Sequence, residues 1–430
     1  MSTLPTGWNL EPFSQVATYS TGRTPARAND LYWKSDVNKV PWVAISDMEA
    51  FGKITETSEC VSGTAFNDVF KGRVVPAGTL LMSFKLTIGR VATLGIPACH
   101  NEAIISIYPR KGVDQRFLGY YLSQVDYSDH QDRQVKGNTL NQAKIDRIPI
   151  LLPPTHEQKS IADVLDRCRE AINTELLLEK TTQELKQSTM RELFTRGLNG
   201  EVQKETEIGF IPKSWEVSRL DDIAKTISTR MSYSELLEEN HSSIGGFRVL
   251  GVKVSDMNRD GNELLILNAA LERTLSKETA EYRCAPPNTI IFPKRGAAIA
   301  TNKKRLTTTW TVFDPNVIGV IPTSIDSEFL FHWFQNFDLR TITEPGPTPQ
   351  LNKKHLDPLL IPVPSTLKEQ QDIAALFNSI DKKISLHRNK STILEELFKS
   401  LLNKLMSGEI RINELDLTAL ETTASSEASV

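Results

Sequence analysis

The chain has 430 residues, of which 39% are hydrophobic and 24% are charged, values typical of a globular protein with about three domains. Its formal net charge of −3 excludes a uniformly basic nucleic-acid binder, but it does not exclude a local basic face. The four cysteines form no Cys-x-x-Cys pair, which excludes a disulfide scaffold and a zinc ribbon.

The first predicted domain covers residues 1–153 and mixes strands with helices. Short β-rich runs lie at 40–45, 78–84 and 102–108, and glycine and proline separate them. A helical stretch at 116–123 follows the third run. The alternation of short strands and helices favours a mixed α/β domain.

A long helix is predicted directly after this domain, within a helical spacer at 154–198. Thr155 and Gln158 form a Thr-x-x-Gln pattern that is typical of a helix capping box. The preceding Pro154 disfavours an earlier start, and Gly197 is a suitable stop. The spacer is therefore expected to be one continuous helix.

The rest of the chain repeats this plan after a short linker at 199–210. Residues 211–363 are the second predicted domain, 364–410 are a second helical spacer, and 411–430 are expected to be a disordered tail. The matching residues are Trp8 with Trp215, Ser46-Asp47-Met48 with Ser255-Asp256-Met257, Leu140-Asn141 with Leu351-Asn352, and Glu157 with Glu369. Because these matches are collinear, they predict an internal duplication.

A seam with alternating steps of four and three residues runs along the second predicted helix. Its positions are Ile373, Phe377, Ile380, Ile384, His387, Ser391, Leu394, Phe398, Leu401 and Leu405. Eight of these ten residues are apolar, which predicts a coiled coil. The equivalent positions of the first helix are Ile161, Leu165, Cys168, Ile172, Glu175, Glu179, Thr182, Lys186, Thr189 and Leu193, of which only five are apolar.

Two alternatives stay open for the first helix. Its apolar face could drift toward Leu176, Leu178 and Leu185, or each helix could pack on its own domain. The presence of two such helices in one chain favours their pairing with each other. The predicted fold class is therefore α+β: two mixed α/β domains alternate with two long helices, which pair as an antiparallel coiled coil. Within such a seam, pairing of the first helix with a copy of itself would bring Glu175 against Glu179, so the second half is expected to self-associate more readily.

The junctions between each predicted domain and its helix carry a further pattern. The first junction reads Ile150-Leu151-Leu152-Pro153-Pro154, then Glu157-Gln158 and Ile161, and the second reads Ile361-Pro362-Val363-Pro364, then Glu369-Gln370 and Ile373. Both resemble the Ile-Pro-x-Pro-Pro-x-x-Glu-Gln-x-x-Ile junction of the specificity (S) subunits of type I restriction–modification systems. The resemblance implies two target-recognition domains that alternate with two helical spacers.

The resemblance also implies that loops of both domains contact DNA. Bases are read by side chains such as Arg, Lys, Asn and Gln, whereas phosphate contacts position the protein. The candidate DNA-binding residues are Lys85, Arg90, Lys136, Asn138 and Thr139 in the first domain, and Lys294, Arg295, Lys303, Lys304 and Arg305 in the second. For each of them, a solvated surface residue is the alternative interpretation.

A specificity subunit of this family is a non-catalytic DNA-binding protein. The resemblance implies recognition of an asymmetric bipartite site in double-stranded DNA, one half per recognition domain. It also implies two methyltransferase (M) subunits as partners on the helices, and restriction (R) subunits bound through the M2S core. Adenine methylation and ATP-dependent cleavage would belong to these partners, which bring S-adenosylmethionine, ATP and magnesium.

The sequence itself offers no motif for such chemistry. Its Pro-Pro pairs do not match the (Asp/Asn/Ser)-Pro-Pro-(Tyr/Phe) motif of an amino-methyltransferase, and it has neither a G-x-G-x-x-G loop nor a G-x-x-x-x-G-K-[ST] loop. A fused DNA-modifying enzyme and a coiled-coil scaffold unrelated to DNA are the alternatives. No apolar run reaches the ~20 residues of a membrane span, and the N terminus lacks a signal segment, so a cytoplasmic location without membrane contact is expected.

Overall fold

The computed structural model describes residues 5–34, 38–128, 132–134, 137–239, 245–343 and 349–415, with the backbone alone for 132–134 and 137–139. The chain forms two compact units. Unit 1 comprises residues 1–176 and 388–430, and unit 2 comprises residues 177–387. Each unit therefore contains one predicted recognition domain together with one half of each long helix.

Unit 1 is built on a five-stranded and a three-stranded sheet. Its strands are β1 Asn9–Pro12, β2 Ala17–Thr21, β3 Val40–Val43, β4 Lys53–Ile54, β5 Glu59–Val61, β6 Leu80–Ser83, β7 Val91–Leu94, β8 Cys99–His100, β9 Ile104–Pro109, β10 Asp132–Gln134, β11 Gly137–Thr139 and β12 Pro149–Leu152. The helices that start in this part of the chain are α1 Phe13–Val16, α2 Asp30–Trp33, α3 Gly63–Asp68, α4 Gln115–Gln124, α5 Gln142–Asp146 and the long α6 Thr155–Arg196. The strand orders are β2-β9-β6-β7-β4 and β5-β3-β8, with the pairs β1-β12 and β10-β11 beside them.

Unit 2 repeats these two sheets strand for strand. Its strands are β13 Gln203–Thr206, β14 Gly209–Pro212, β15 Glu216–Arg219, β16 Ala224–Ile227, β17 Phe247–Val252, β18 Leu265–Ile266, β19 Leu271–Leu275, β20 Ile290–Pro293, β21 Arg305–Thr307, β22 Trp310–Phe313, β23 Val317–Pro322 and β24 Leu360–Val363. The helices that start in this part of the chain are α7 Leu220–Ile223, α8 Tyr233–Glu238, α9 Lys277–Arg283, α10 Ala297–Ala300, α11 Ser327–Asn336, α12 Lys353–Leu356 and the long α13 Leu367–Ser407. The orders β16-β23-β20-β21-β18, β19-β17-β22 and β15-β24 match those of unit 1, which confirms the duplicated α+β fold.

The long helices pack against each other within each unit. In unit 1 the buried side chains of Ile161, Leu165 and Cys168 share a core with Phe398 and Leu405. Further along the helices of the same unit, Glu175 forms an ion pair with Lys390 at 3.4 Å. Because the partner's residue number falls as the number along α6 rises, the two helices are antiparallel there.

Unit 2 shows the same arrangement. The ring of Phe194 stacks on that of Phe377, with centroids 6.1 Å apart, and Lys186 contacts Asp381. The alternative of a drifting apolar face on the first helix is wrong, because the side chains of Leu176 and Leu185 are exposed whereas the polar seam residue Thr182 is buried. The antiparallel pairing and the four–three seam are therefore confirmed.

The start of α6 differs from the predicted capping box. The Thr155 hydroxyl donates to the carbonyl of Gly112 at 2.8 Å, and the carbonyl of Pro154 accepts from the backbone N–H of Gln158. The box is therefore not formed at Thr155, because its hydroxyl is used to join the helix to the loop before α4. At the second helix, by contrast, the Thr366 hydroxyl accepts from the backbone N–H of Glu369 at 3.2 Å.

Two segments outside the predicted domains have local structure. The predicted linker at 199–210 contains β13 and part of β14, which pair as an antiparallel hairpin. The predicted tail starts at 411, yet Arg411 pairs with Glu157 at 2.9 Å and a short 3-10 helix spans Ile412–Glu414. Residues 416–430 lie outside the described residues.

Candidate nucleic-acid interface

The two Glu-Gln pairs of the junctions hold each recognition domain on its own helix. In unit 1 the buried Gln158 side chain accepts from the backbone N–H of Asp114 at 2.8 Å and donates to the carbonyl of Pro153 at 2.8 Å. The carboxylate of Asp114 in turn accepts from the first N–H groups of α4. This arrangement ties the start of α4 to the start of α6, so that the domain and the helix are linked by polar contacts with defined directions.

Unit 2 contains the same junction at an offset of 212 residues. Gln370 accepts from the backbone N–H of Asp326 at 2.8 Å, where Asp326 caps α11. Glu369 accepts from Trp215 Nε1 at 3.1 Å, and in unit 1 Glu157 accepts from Trp8 Nε1 at 3.2 Å. The repeated tryptophan and Glu-Gln residues thus have a structural role that the sequence analysis did not assign.

In unit 1 the fold brings two candidate DNA-binding segments together. The carbonyl of Phe84 accepts from the backbone N–H of Leu140 at 3.0 Å. Lys85 therefore lies beside the segment that contains Asn138 and Thr139, which belong to β11. The half-buried Lys85 places its Nζ 5.3 Å from the Phe84 ring centroid. The side chains of Asn138 and Thr139, like the whole of Lys136, lie outside the described residues.

Unit 2 joins the equivalent segments in the same way. The carbonyl of Lys294 accepts from the backbone N–H of Leu351 at 2.9 Å, and Arg295 bridges Gln350. Lys294 is half-buried and Arg295 is exposed. Arg295 thus occupies the place that Lys85 holds in unit 1, so a cation follows the same central strand in both domains.

Arg90 and Arg305 lie against the repeated Ser-Asp-Met turn. The Arg90 guanidinium donates to the carbonyls of Ile45 and Met48 at 3.4 and 3.3 Å, and Arg305 donates to the carbonyl of Met257 at 2.9 Å. The turn is also fixed by its aspartate, since buried Asp256 accepts from two backbone N–H groups. Both arginines therefore contribute to the fold, whatever they contribute to DNA binding.

The remaining two candidates differ strongly in burial. Lys303 is half-buried and donates to the side chain of Asn258. Lys304 is only 1% exposed and donates to the carbonyl of Phe337 at 2.5 Å. Burial lowers the pKa of Lys304 to about 8. The predicted DNA-binding role of the cluster stays a prediction, and the burial of Lys304 favours Lys303 as its contacting residue.

The adjacent Cys99 and His100 are part of the core of unit 1. Burial raises the pKa of the Cys99 thiol to about 12 and lowers the pKa of His100 to about 4. Both side chains are therefore neutral near pH 7, which suits a packed strand. Within the described residues, no helix combines the length and apolar character that crossing a membrane requires.

The molecule thus has two like domains, each joined to one of two antiparallel helices and each with a cation beside the segment that precedes its junction, which defines a duplicated two-domain protein. The family model for the type I restriction modification DNA specificity domain matches residues 5–187 and 212–396. The chain therefore belongs to the family of type I restriction–modification specificity subunits, whose members are DNA-recognition components, and it has two target-recognition domains.

Individual relatives agree with this assignment. The chain is 24% identical to the type I restriction enzyme MjaIX specificity subunit of Methanocaldococcus jannaschii, over 96% of this chain and 95% of that one. It is 27% identical to the HindI specificity subunit of Haemophilus influenzae over 46% of this chain and 42% of that one. Among solved structures, the S subunit from M. genitalium has a similar fold, with a TM-score of 0.57 at 12% identity over 94% of this chain and 97% of that one.

Proposed function

We propose that this chain selects an asymmetric bipartite DNA site, with one half-site read by each recognition domain. The observation that carries the proposal is the repetition of one fold with different residues at equivalent places. Phe84-Lys85 in unit 1 corresponds to Lys294-Arg295 in unit 2, and both pairs lie beside the segment that precedes a junction. Because the side chains differ, the two domains should prefer different bases.

The long helices are the proposed spacer between the half-sites. α6 has 42 residues, which corresponds to about 60 Å at 1.5 Å per residue. Successive major-groove faces on one side of DNA are ~34 Å apart. A helix of this length is thus sufficient to separate two domains by at least one turn of DNA, and its own length would set the spacing.

The same helices are the proposed docking surface for two methyltransferase subunits. Each unit has exposed large apolar residues on its helical segments, among them Leu185 in unit 2 and Leu397 in unit 1. These two residues are equivalent at the offset of 212, so they offer the same apolar contact twice. The repeated leucine supports the proposal, because two identical partners would need the same contact on both helices.

The catalytic functions are assigned to the partners. Adenine methylation with S-adenosylmethionine would belong to the M subunits, and cleavage driven by ATP and magnesium would belong to R subunits that join through the M2S core. The assembly would act in the cytoplasm, where the host DNA that it must methylate is found. The chain itself would contribute sequence recognition and no bond-making step.

A binding experiment with and without methyltransferase subunits tests this proposal. The chain carries a net charge of −3, and phosphate neutralisation dominates affinity for DNA. The chain alone should therefore bind DNA weakly at ~150 mM salt, and M subunits should raise its affinity for one particular sequence. Equal affinity of the free chain and the complex for that sequence would contradict the division of roles. A complex without sequence preference would favour a scaffold.

A further inference from the structure

The long helices of unit 2 are joined by an ion pair that is almost closed to solvent. Lys186 of α6 donates from Nζ to both carboxylate oxygens of Asp381 of α13, at 2.6 and 2.7 Å. The two side chains are 12% and 10% exposed. Removal of one partner from a buried ion pair strongly destabilises a fold, because the other charge stays buried without compensation, so this contact is costly to break.

The neighbouring His332 does not replace that cation. Its Nδ1 lies 3.9 Å from a carboxylate oxygen of Asp381. Burial lowers the pKa of His332 to about 4, so the imidazole is neutral near pH 7. Of the side chains that contact Asp381 in the described part of the chain, Lys186 is therefore the one that compensates the carboxylate charge.

The equivalent places in unit 1 hold different residues. The offset of 212 that relates Gln158 to Gln370 at the junctions makes Arg169 equivalent to Asp381 and Phe398 equivalent to Lys186. This offset is also seen in side-chain contacts: the Tyr120 hydroxyl donates to Asp166, and His332 bonds to Asn378 through Nε2. The two helices can therefore be compared position by position.

At that place in unit 1 the contacts are aromatic rather than ionic. The Phe398 ring lies 5.7 Å from the Phe51 ring and 6.1 Å from the Tyr120 ring, measured between centroids. The guanidinium of Arg169 lies 5.4 Å from the centroid of Phe51. Equivalent positions of the two helices thus form an ion pair in unit 2, and an aromatic cluster with a nearby cation in unit 1.

We propose that Lys186 and Asp381 determine which helices pair, and that they disfavour pairing of either helix with a second copy of itself. In a like pair of α13, each Asp381 would face Phe398 of the other copy and would be buried without a cation. In a like pair of α6, Lys186 would face Arg169, so that two cations would meet twice. Only the pairing of α6 with α13 places Lys186 against Asp381.

Asp381 adds a second barrier to self-pairing, beside the one expected from Glu175 and Glu179. Those glutamates are expected to oppose self-pairing of α6, and Asp381 would oppose self-pairing of α13 as well. The second half of the chain is therefore not expected to self-associate readily. Selection of the helix pair does not depend on the proposed role in DNA recognition, since it involves helix contacts within one protein.

The test uses the folded full chain with a protease-recognition sequence inserted at the exposed Asn199–Gly200 turn. Cleavage leaves the two halves held together by non-covalent contacts, and native mass spectrometry then counts like and unlike pairs. The wild type should give unlike pairs. Replacement of the ion pair in Lys186→Leu/Asp381→Leu should preserve folding, because exchange of a buried ion pair for apolar residues is often neutral or stabilising. Pairs of two second halves should nevertheless increase by at least about tenfold, or about 1.4 kcal/mol.

A control and a second variant make the outcome decisive. Lys368 and Asp372 form an exposed ion pair on α13, with side chains 80% and 44% exposed, and Lys368→Leu/Asp372→Leu should leave unlike pairs. The reversed pair Lys186→Asp/Asp381→Lys keeps an ion pair between α6 and α13. In a pair of two first halves, however, the new carboxylate at position 186 would face Arg169, so such pairs should appear. The proposal would be overturned if both test variants gave only unlike pairs. It would also be overturned if the control formed like pairs to the same extent as the test variants.

Discussion

The buried Lys304 gives a prediction that separates folding from DNA contact. Its ammonium group is enclosed and donates to the carbonyl of Phe337. Burial lowers its pKa from 10.5 to about 8. Between these two values the unfolded chain binds more protons than the folded chain, so the contribution of Lys304 to stability rises with pH in this range.

The substitution Lys304→Met keeps much of the apolar stem and removes this titration. Near pH 7 the wild type bears a cost of about 3 kcal/mol for burying the ammonium. The variant avoids that cost but loses a hydrogen bond and leaves the Phe337 carbonyl unpaired, at about 1–3 kcal/mol. The variant should thus be at least as stable as the wild type near neutral pH.

Urea unfolding of both proteins at about pH 7 and about pH 10 measures the effect. The free energy of unfolding of the wild type, relative to that of the variant, should rise by about 2–3 kcal/mol between these conditions. Taking the difference between the two proteins cancels the titration of groups that they share. A difference that is independent of pH would refute the assignment of a depressed pKa to Lys304.

Four further outcomes are expected. Lys303→Ala should weaken DNA binding almost equally for all sequences and reduce the salt slope by about one, as seen in titrations at several salt concentrations. Arg295→Ala should relax preference at one base pair by ~1–3 kcal/mol in a competition assay with single-base variants of the site. Gln158→Ala should lower the free energy of unfolding by about 1–3 kcal/mol in urea, because it leaves the backbone N–H of half-buried Asp114 without its partner, whereas Gln187→Ala at an exposed position should change it little. Insertion of about one heptad into both α6 and α13 should change the spacing between half-sites, or abolish binding, in methylation maps.

The features that could be predicted from the sequence are those with a local or periodic signal. The seam along α13 and the collinear repeats indicated the paired helices and the duplication, because both depend on residue spacing. Even the polar seam residue Thr182 is buried in α6 as its position required. Its neighbour Lys186 is accommodated because Asp381 meets it across the helix pair.

The features that could not be predicted depend on contacts between residues far apart in the sequence. Three consecutive basic residues at 303–305 are typical of a solvated loop, yet Lys304 points to a carbonyl 33 residues later. The role of Gln158 likewise depends on the backbone of Asp114, 44 residues earlier. The failed capping box has the same cause, since the Thr155 hydroxyl binds the distant Gly112 rather than its own helix.

The most direct test of the central claim is to exchange residues 1–153 for the first recognition domain of another family member. Methylation mapping of a host that contains the chimera together with methyltransferase subunits would then give the recognised site. Separate reading by two domains predicts that one half-site changes, while the other half-site and the spacing between them are retained. A chimera that rewrote both half-sites, or that left the site unaltered, would contradict it.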